Sequence, residues 1–297
     1  MRIAVTGGAG RLGRLAISEL LEHGHDVLAI DKAPIAASAC RYSAIDLLKA
    51  ADLAGALAGA DGIIHLARQK FPYTGSGFDA ASRAWKTPDA IGDAAIFSYN
   101  VTISYNVLAA AFAAGIKKLV MGSSLTIYGF YYPSRWSAPE HLPVDEDYPL
   151  RPQDPYSLSK LVVERACDAF ASKSDMQIAS LRFAGISADF TQETLRERRK
   201  NPLRWSGPLW TYIDVRDAAL ACRLAVEADF AGHEAFNICA PKTLMEQPTA
   251  ELVKQYLPDA KLRTNSQGNW AGYDSAKAAR MLGFSAHYLL EAHRSEV

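Results

Sequence analysis

A serine, a tyrosine and a lysine near the middle of the chain have the types and spacing needed for proton transfer at a hydroxyl group. Tyr156 and Lys160 are four residues apart at the start of a predicted helix over residues 155–172, so both side chains share one face. A free tyrosine, with a pKa of about 10, is a poor base at neutral pH, but a neighbouring ammonium favours the phenolate. Ser124 ends the preceding predicted strand, where its hydroxyl would orient the reacting oxygen. Tyrosine and lysine four residues apart also occur as surface pairs. The catalytic interpretation depends on the position of this helix directly after the strand that ends at Ser124.

A glycine-rich loop at the start of the chain has the pattern of a dinucleotide-binding turn. Gly7, Gly10 and Gly13 are spaced three apart between a predicted strand and a predicted helix, with Arg11 and Leu12 in the same loop. The first glycine permits a tight turn, the second allows close approach to a pyrophosphate, and the third allows close helix–strand packing. The helix N-terminus then offers N–H groups and a positive dipole to the phosphates.

An acidic residue follows the glycine loop at the distance expected for a ribose-binding carboxylate. Asp31 ends the second predicted strand, 31 − 13 = 18 residues after Gly13. We expect it to favour NAD over NADP, although the neighbouring Lys32 could tolerate the additional phosphate. Further predicted cofactor contacts are Lys32, Asp46, Leu47, Leu66, Ala67 and Arg68. His65 is expected to be a packed histidine rather than a base. With NAD bound, hydride transfer would accompany proton transfer at Tyr156.

The elements that must position these residues alternate between strands and helices. Predicted strands cover residues 3–6, 26–30, 62–66, 118–122 and 177–182, and predicted helices cover residues 12–22, 47–57, 99–114 and 155–172. Such alternation predicts an α/β fold with a Rossmann-type doubly wound parallel sheet. We expect an NAD-binding core of residues 1–182, to which residues 208–240 return, and a small C-terminal substrate-binding lobe of residues 183–207 and 241–297.

Two aromatic-rich insertions and one basic run are the candidates for substrate contacts. Residues 68–95 and 130–136 follow the third and fourth predicted strands and include Trp85 and Tyr131. Their rings could stack on a sugar or pack a long loop against the body, and the sequence leaves both possibilities open. The basic run consists of Arg196, Arg198, Arg199, Lys200 and Arg204, and is expected to be a solvated helix face more readily than an anion site.

Charge and cysteine content argue against several classes of partner. The chain has 32 basic and 32 acidic residues, so no net field attracts nucleic acid or an anionic membrane. Four widely separated cysteines without a CxxC pair predict neither a metal site nor a disulfide framework.

A predicted strand begins at residue 3, which leaves no room for a signal peptide, and no apolar run reaches the roughly 18 residues of a membrane span. We therefore expect a cytoplasmic protein.

These motifs together resemble the extended short-chain dehydrogenase/reductases, in the branch of NAD-dependent epimerases and dehydratases. The resemblance covers roughly residues 1–240 and rests on Thr-Gly-x-x-Gly-x-x-Gly at 6–13, His-Leu-Ala at 65–67, Asn-Val at 100–101, Ser-Ser-x-x-x-Tyr-Gly at 123–129 and Tyr-x-x-x-Lys at 156–160. It implies that Ser124, four residues before Tyr128, is the catalytic serine, and that Tyr128 faces the substrate. It also implies that Asn100 supports the cofactor site. The same resemblance implies a homodimer built from the predicted helices over residues 99–114 and 155–172.

One departure from this resemblance bears on the substrate. Trp210 stands where nucleotide-sugar enzymes of the family have an arginine for the pyrophosphate, and Arg263 matches a second phosphate arginine only loosely. We therefore expect a small carbohydrate or sugar acid, with Trp210 stacking on the sugar ring and Arg216 or Arg198 holding a carboxylate. A UDP-sugar 4-epimerase is the alternative enzyme. A dinucleotide-sensing module is less favoured, because Tyr156 and Lys160 are both present.

Overall fold

The computed structural model describes residues 1–35, 40–69, 79–84 and 90–290. Within these residues, seven parallel strands form one sheet in the order β10-β7-β5-β4-β1-β2-β3. These strands are β1 (Arg2–Thr6), β2 (Asp26–Asp31), β3 (Arg41–Ala44), β4 (Gly62–His65), β5 (Lys118–Ser124), β7 (Gln177–Phe183) and β10 (His233–Ile238). Two short parallel pairs lie outside the sheet, namely β6 (His141–Leu142) with β11 (Lys261–Leu262), and β8 (Ile186–Ser187) with β9 (Ile213–Asp214).

Helices cover both faces of the sheet, as strand–helix alternation requires. The helices are α1 (Arg11–Glu22), α2 (Ala50–Ala56), α3 (Ala90–Ala113), α4 (Pro155–Ser172), α5 (Glu193–Arg199), α6 (Val215–Glu227), α7 (Thr249–Tyr256) and α8 (Ala276–Leu282). The helices α1 and α6 pack together on one face, while α2, α3 and α4 pack on the other. In α1 the buried residues Gly13, Ala16, Ile17 and Leu20 recur at helical spacing, which gives the helix one apolar stripe toward the sheet.

The chain order of the strands creates a crevice between β1 and β4. From β1 the chain runs outward through β2 and β3, and then crosses back to β4 and continues through β5, β7 and β10 in the opposite direction. Connections therefore leave the carboxyl ends of β1 and β4 toward opposite sides. Parallel sheets bind ligands at this kind of switch point. The predicted Rossmann-type doubly wound sheet is confirmed.

Several elements differ from the sequence prediction. The strand β3 was not predicted, because its short segment is largely exposed at the sheet edge and lacks an apolar run. The helix α3 begins at Ala90 rather than at residue 99, and α2 begins at Ala50 rather than at residue 47. The helix α5 lies within the residues expected to form the substrate-binding lobe, where no helix bounds were predicted, and its Leu195 is buried.

One described helix segment, Ala94–Ala113 in α3, is long and apolar enough to cross a membrane by length and composition, with a mean hydropathy of 1.2. Core helices can have the same composition. Here α3 packs against α4 and α2, and Ile103, Val107 and Leu108 are completely buried. The apolar character of the segment is thus used in packing against the sheet.

Candidate active site

A cleft of about 700 Å³ runs along the carboxyl ends of the central strands. Its walls include most of the residues predicted to contact a cofactor, which are Gly7, Gly10, Arg11, Leu12, Gly13, Asp31, Lys32, Asp46, Leu47, Leu66, Ala67 and Arg68. Ser124, Tyr131 and Tyr156 line the same cleft. Residues that are far apart in the sequence therefore meet at one site, because the strands that carry them are neighbours in the sheet.

The glycine loop packs so closely against neighbouring backbone that two of its positions have no room for a side chain. Gly7 has a φ of +76°, and a Cβ there would lie 2.6 Å from the backbone nitrogen of Ala67. A Cβ on Gly13 would lie 2.2 Å from the carbonyl oxygen of Gly7. Among the described residues no side chain caps the start of α1, so its first N–H groups remain available to an anion. A loop of this shape fits the pyrophosphate of a dinucleotide.

Asp31 contributes to the shape of the loop as well as to the lining of the cleft. Its Oδ2 accepts a hydrogen bond of 3.0 Å from the backbone N–H of Ala9, and its Oδ1 accepts one of 3.0 Å from the backbone N–H of Ala33. A carboxylate has further lone pairs after two such bonds. Asp31 can therefore accept ribose hydroxyl groups while it holds the glycine loop, a structural role that the sequence prediction did not include.

The start of α4 presents the predicted tyrosine and lysine. Asp154 is the N-cap, and its side chain accepts a hydrogen bond of 2.9 Å from the backbone N–H of Ser157. Tyr156 consequently lies in the first turn, and Lys160 lies one turn later with its Nζ 5.7 Å from the centre of the tyrosine ring. Lys160 donates a hydrogen bond of 2.7 Å to the carbonyl oxygen of Gly122 on β5. This bond fixes the ammonium beneath the cleft, close to the end of the strand that carries Ser124.

The environment of Lys160 opposes its positive charge. Burial and, to a smaller extent, the nearby Arg68 lower the pKa of this lysine to about 7, against the opposite effect of Glu164. The guanidinium of Arg68 lies 5.5 Å from the centre of the Tyr156 ring. Two basic side chains thus lie close to the phenol ring. The sequence prediction treated Arg68 only as a cofactor contact.

Two polar residues beside the cleft have supporting positions. His65 is buried and bonds to the hydroxyl oxygens of Thr6 at 2.6 Å and Ser104 at 3.1 Å. Burial lowers the pKa of His65 to about 3, with Lys160 acting in the same direction, so the prediction of a packed, neutral histidine is confirmed. Asn100 is buried beside the cleft without lining it, and its side chain bonds to both backbone groups of Gln69, at 2.8 and 3.3 Å. It therefore holds the backbone of Gln69, next to Arg68.

Two aromatic residues predicted to contact the substrate are buried elsewhere. The side chain of Trp210 is completely buried, and its indole N–H donates to the carbonyl oxygen of Pro202 at 2.9 Å. Tyr128 is also buried, with its hydroxyl bonded to Asn237 at 2.8 Å and to Arg182 at 2.8 Å. Neither side chain lines the cleft. The prediction that they touch the substrate is corrected, because both rings fill the core beneath the site.

The other predicted substrate residues have different outcomes. The guanidinium of Arg216 is held by the carboxylate of Asp214, at 2.8 and 2.9 Å, and stacks on Tyr288 at 3.5 Å. It does not line the cleft, so its predicted contact with the substrate is also corrected. Tyr131 does line the cleft. Trp85 lies outside the residues that the structure describes.

Arg198 lines the cleft, although its basic run was expected to be a solvated helix face more readily than an anion site. This residue lines the cleft together with Tyr132, Phe183 and Gly185. A signal was available, because Arg198 lies three residues after Leu195, and residues three apart share a helix face. Leu195 is buried, so the face that it shares with Arg198 is directed toward the body of the protein.

Comparisons with known proteins agree with this geometry. The model of the NAD-dependent epimerase/dehydratase family matches residues 3–239. The chain is 28% identical over 271 residues to a UDP-glucose 4-epimerase of Corynebacterium glutamicum, a match that covers 80% of this chain and 75% of the relative. It is 29% identical over 233 residues to an L-arabinose 1-dehydrogenase (NAD(P)(+)) of Haloferax volcanii, a match that covers 76% of this chain and 83% of the relative.

Solved structures share the same fold. A short-chain dehydrogenase/reductase superfamily protein of Agrobacterium tumefaciens, crystallised with bound NAD, superposes with a TM-score of 0.68 at 23% identity. The superposition covers 97% of this chain and 93% of that protein. The likeness therefore extends through the C-terminal residues as well as the sheet.

Proposed function

The chain belongs to the NAD-dependent epimerase/dehydratase family, and on that premise we propose that it oxidises or reduces a secondary hydroxyl or carbonyl group of a free carbohydrate. NAD is the cofactor of this family. The relatives with assigned names include an enzyme of a free sugar and an enzyme of a nucleotide-linked sugar. Both activities need hydride transfer at a carbon that bears oxygen, so the common chemistry supports an oxidoreductase.

The residues of the cleft have complementary parts in this reaction. Bound NAD supplies the acceptor or donor of the hydride. In the oxidation direction the carbon–hydrogen bond of the substrate breaks with loss of hydride, and the hydroxyl proton passes to the oxygen of Tyr156. The hydroxyl of Ser124 hydrogen-bonds the substrate oxygen and orients it. Lys160 and Arg68 favour the phenolate before transfer, and Asp31 with the glycine loop holds the dinucleotide.

The observation that favours a free carbohydrate is the scarcity of cations at the substrate end of the cleft. A pyrophosphate brings two charges, which a partly desolvated site neutralises best with arginine forks. Beyond Tyr156, on the β7 side, Arg198 is the single cation among the described residues that line the cleft. Trp210 is buried, and Arg263 lies outside the cleft lining with its guanidinium 3.6 Å from the carboxylate of Asp145.

A nucleotide-sugar 4-epimerase is the second candidate. The UDP-glucose 4-epimerase of Corynebacterium glutamicum favours it, because the match extends over 80% of this chain. An epimerase would use the same serine, tyrosine and lysine, but it would return the hydride to the same sugar. The two candidates therefore differ in net product rather than in catalytic residues.

The test combines a binding measurement with a product measurement. UDP is titrated into the NAD-bound protein by calorimetry, and a panel of aldoses and uronates is assayed for net NADH by absorbance. A free-carbohydrate dehydrogenase gives NADH with at least one free sugar and binds UDP weakly. Tight UDP binding with no NADH from any free sugar would reject the proposal and favour the epimerase.

Organisation and location belong to the same proposal. We propose that residues 183–207 and 241–297 form a substrate-binding lobe, which is supported by the position of Arg198 in the cleft. A homodimer through α3 and α4 is supported by the exposed apolar side chains of Phe112 and Leu158, with sedimentation velocity as the measurement. The balanced charge supports a cytoplasmic enzyme that binds neither nucleic acid nor membrane.

A further inference from the structure

Arg198 is a half-buried cation at the far wall of the cleft. It projects from α5, and its guanidinium carbon lies 4.5 Å from the centre of the Trp205 ring. Tyr131 and Tyr132 are its neighbours on the cleft side. Stacking on an indole restrains the guanidinium in one plane, and a planar guanidinium with its edge free can form two parallel hydrogen bonds.

The charge of Arg198 is not matched by an acidic side chain in the described part of the chain. Its neighbours on α5 differ, since Arg199 pairs with Glu246 at 2.8 Å and Lys200 pairs with Glu197 at 2.6 Å. Burial lowers the pKa of the Arg198 guanidinium, and Arg204 lowers it further, while Tyr131 and Tyr132 act in the opposite direction. A partly desolvated cation without a counterion is unfavourable by itself. An anionic ligand in the cleft would remove that cost.

The position of Arg198 excludes the phosphates of the cofactor as its partner. The glycine loop follows β1, whereas Arg198 lies beside Gly185, which follows β7. In the sheet order β7-β5-β4-β1 these strands are three positions apart. At about 4.8 Å for each strand spacing, the two sites are roughly 14 Å apart. Tyr156, which accepts the proton, and Ser124, which orients the substrate oxygen, belong to elements between them.

We infer that Arg198 binds a carboxylate of the substrate, so that the substrate is a sugar acid. This inference rests on the proposed function and narrows it. A carboxylate offers two oxygens in the plane of the guanidinium and a single charge, which matches the single cation available. The phenols of Tyr131 and Tyr132 stay protonated at neutral pH, because burial raises the pKa of both, to about 12 for Tyr132. Both can therefore donate hydrogen bonds to the sugar or its carboxylate.

The experiment compares two methionine substitutions on the same helix. Arg198→Met keeps much of the side-chain length but removes the charge in the cleft. Arg196→Met removes the same charge from α5 outside the cleft lining, where the carbonyl oxygen of Thr191 is the one hydrogen-bond partner of the guanidinium in the described part of the chain. Each variant and the parent protein are assayed with NAD on glucuronate and galacturonate, and on the neutral sugars glucose and galactose. Binding of the uronates to the NADH-bound protein is also measured by calorimetry.

The inference predicts a loss that depends on the substrate carboxylate. For Arg198→Met the KM and the Kd for a uronate rise by about 10- to 100-fold, the range expected for a charge-assisted contact, while kcat changes little. Activity on a neutral sugar stays the same or improves. Arg196→Met behaves as the parent protein on all substrates.

Three results would overturn the inference, and they differ in what they leave intact. Equal losses on uronates and neutral sugars in Arg198→Met would show a structural role for the arginine. Oxidation of neutral sugars but not of uronates by the parent protein would remove the carboxylate site and leave the proposed function standing. Tight UDP binding with no oxidation of any free sugar would remove the proposed function itself.

Discussion

At the scale of single residues, the candidate site places Tyr156 close to two basic residues, Lys160 and Arg68, that differ in burial. Lys160 is buried and held by the carbonyl oxygen of Gly122, whereas Arg68 is exposed at the mouth of the cleft. Burial and Arg68 together lower the pKa of Lys160 to about 7. The ring centre of Tyr156 lies 5.7 Å from the Nζ of Lys160 and 5.5 Å from the guanidinium carbon of Arg68.

Replacement of Tyr156 by phenylalanine tests that role directly. Tyr156→Phe keeps the ring in the first turn of α4 but removes the oxygen that accepts the proton. Turnover should fall by about 10²- to 10⁴-fold, the usual contribution of a general base, while NAD affinity measured by calorimetry changes little. Tyr105→Phe is a matched control, because Tyr105 lies exposed on α3 outside the cleft lining. Turnover of Tyr156→Phe close to that of the control would exclude Tyr156 from proton transfer.

The same scale shows why some site residues were predictable and others were not. The residues of the glycine loop and of the Tyr-x-x-x-Lys motif act through local spacing, and spacing is visible in a sequence. Trp210 has a left-handed backbone, with φ of 55°, and its ring points into the core. No local pattern indicates this direction, because it depends on the packing of Pro202 and Tyr256 around the indole. Arg198 was underestimated for the reverse reason, since a run of basic residues resembles a solvated face.

At the scale of elements, the junction between β1 and α1 determines where the cofactor can lie. The start of α1 approaches the preceding turn so closely that only a hydrogen fits at Gly13. Asp31 at the end of β2 accepts a hydrogen bond from Ala9 in the same turn. β1, the glycine loop and α1 therefore form one packed unit. Its order of elements was predictable because glycines mark the boundary between β1 and α1, and Asp31 marks the end of β2. The edge strand β3 was not predicted, because its side chains are largely exposed and no particular residue type is needed there.

A methyl group at Gly13 should disrupt this junction. Gly13→Ala would place its Cβ 2.2 Å from the carbonyl oxygen of Gly7, a contact that only a backbone shift can relieve. We expect a lower Tm and a large increase in the Kd for NAD, measured by thermal unfolding and calorimetry. The matched control is Gly55→Ala in α2, where a Cβ would meet nothing within 4 Å. That change should raise helix stability by up to about 1 kcal/mol. Equal effects of the two substitutions would contradict the close approach at α1.

At the scale of the whole molecule, a buried ionic network connects the sheet, α4 and the C-terminal residues below the cleft. The guanidinium of Arg182 on β7 bonds to both carboxylate oxygens of Glu164 on α4, at 3.1 and 2.8 Å. Ser123, beside Ser124, donates to Glu164 at 2.5 Å. Arg182 also donates to the hydroxyl of Tyr128 at 2.8 Å, which in turn bonds to Asn237 at the end of β10. The network thus holds the carboxyl ends of β5, β7 and β10 together.

This network was not predictable from the sequence, although each of its members was visible there. Arg182 ends a predicted strand and Glu164 lies within a predicted helix, but neither position indicates a partner across 18 residues of chain. Tyr128 was assigned to the substrate because its motif adjoins the catalytic serine. In the folded protein the ring of Tyr128 is buried in the core beneath the cleft. Burial raises the pKa of its hydroxyl, and Arg182 acts in the opposite direction. A motif therefore identifies the neighbourhood of a site, whereas the side that each residue faces depends on the assembled core.

Removal of one charge from the network should cost far more than removal of an exposed charge. The side chains of Arg182 and Glu164 are only 6% and 3% exposed, so Glu164→Gln leaves an uncompensated buried guanidinium. We expect the free energy of unfolding in urea to fall by about 3–5 kcal/mol. In the control Glu140→Gln, which breaks the exposed pair with Arg151, it should fall by about 0–1 kcal/mol. The double variant Glu164→Leu with Arg182→Met removes both buried charges and should recover much of the loss. If Glu164→Gln and Glu140→Gln destabilised the protein equally, the buried pair would not be what joins the layers beneath the cleft.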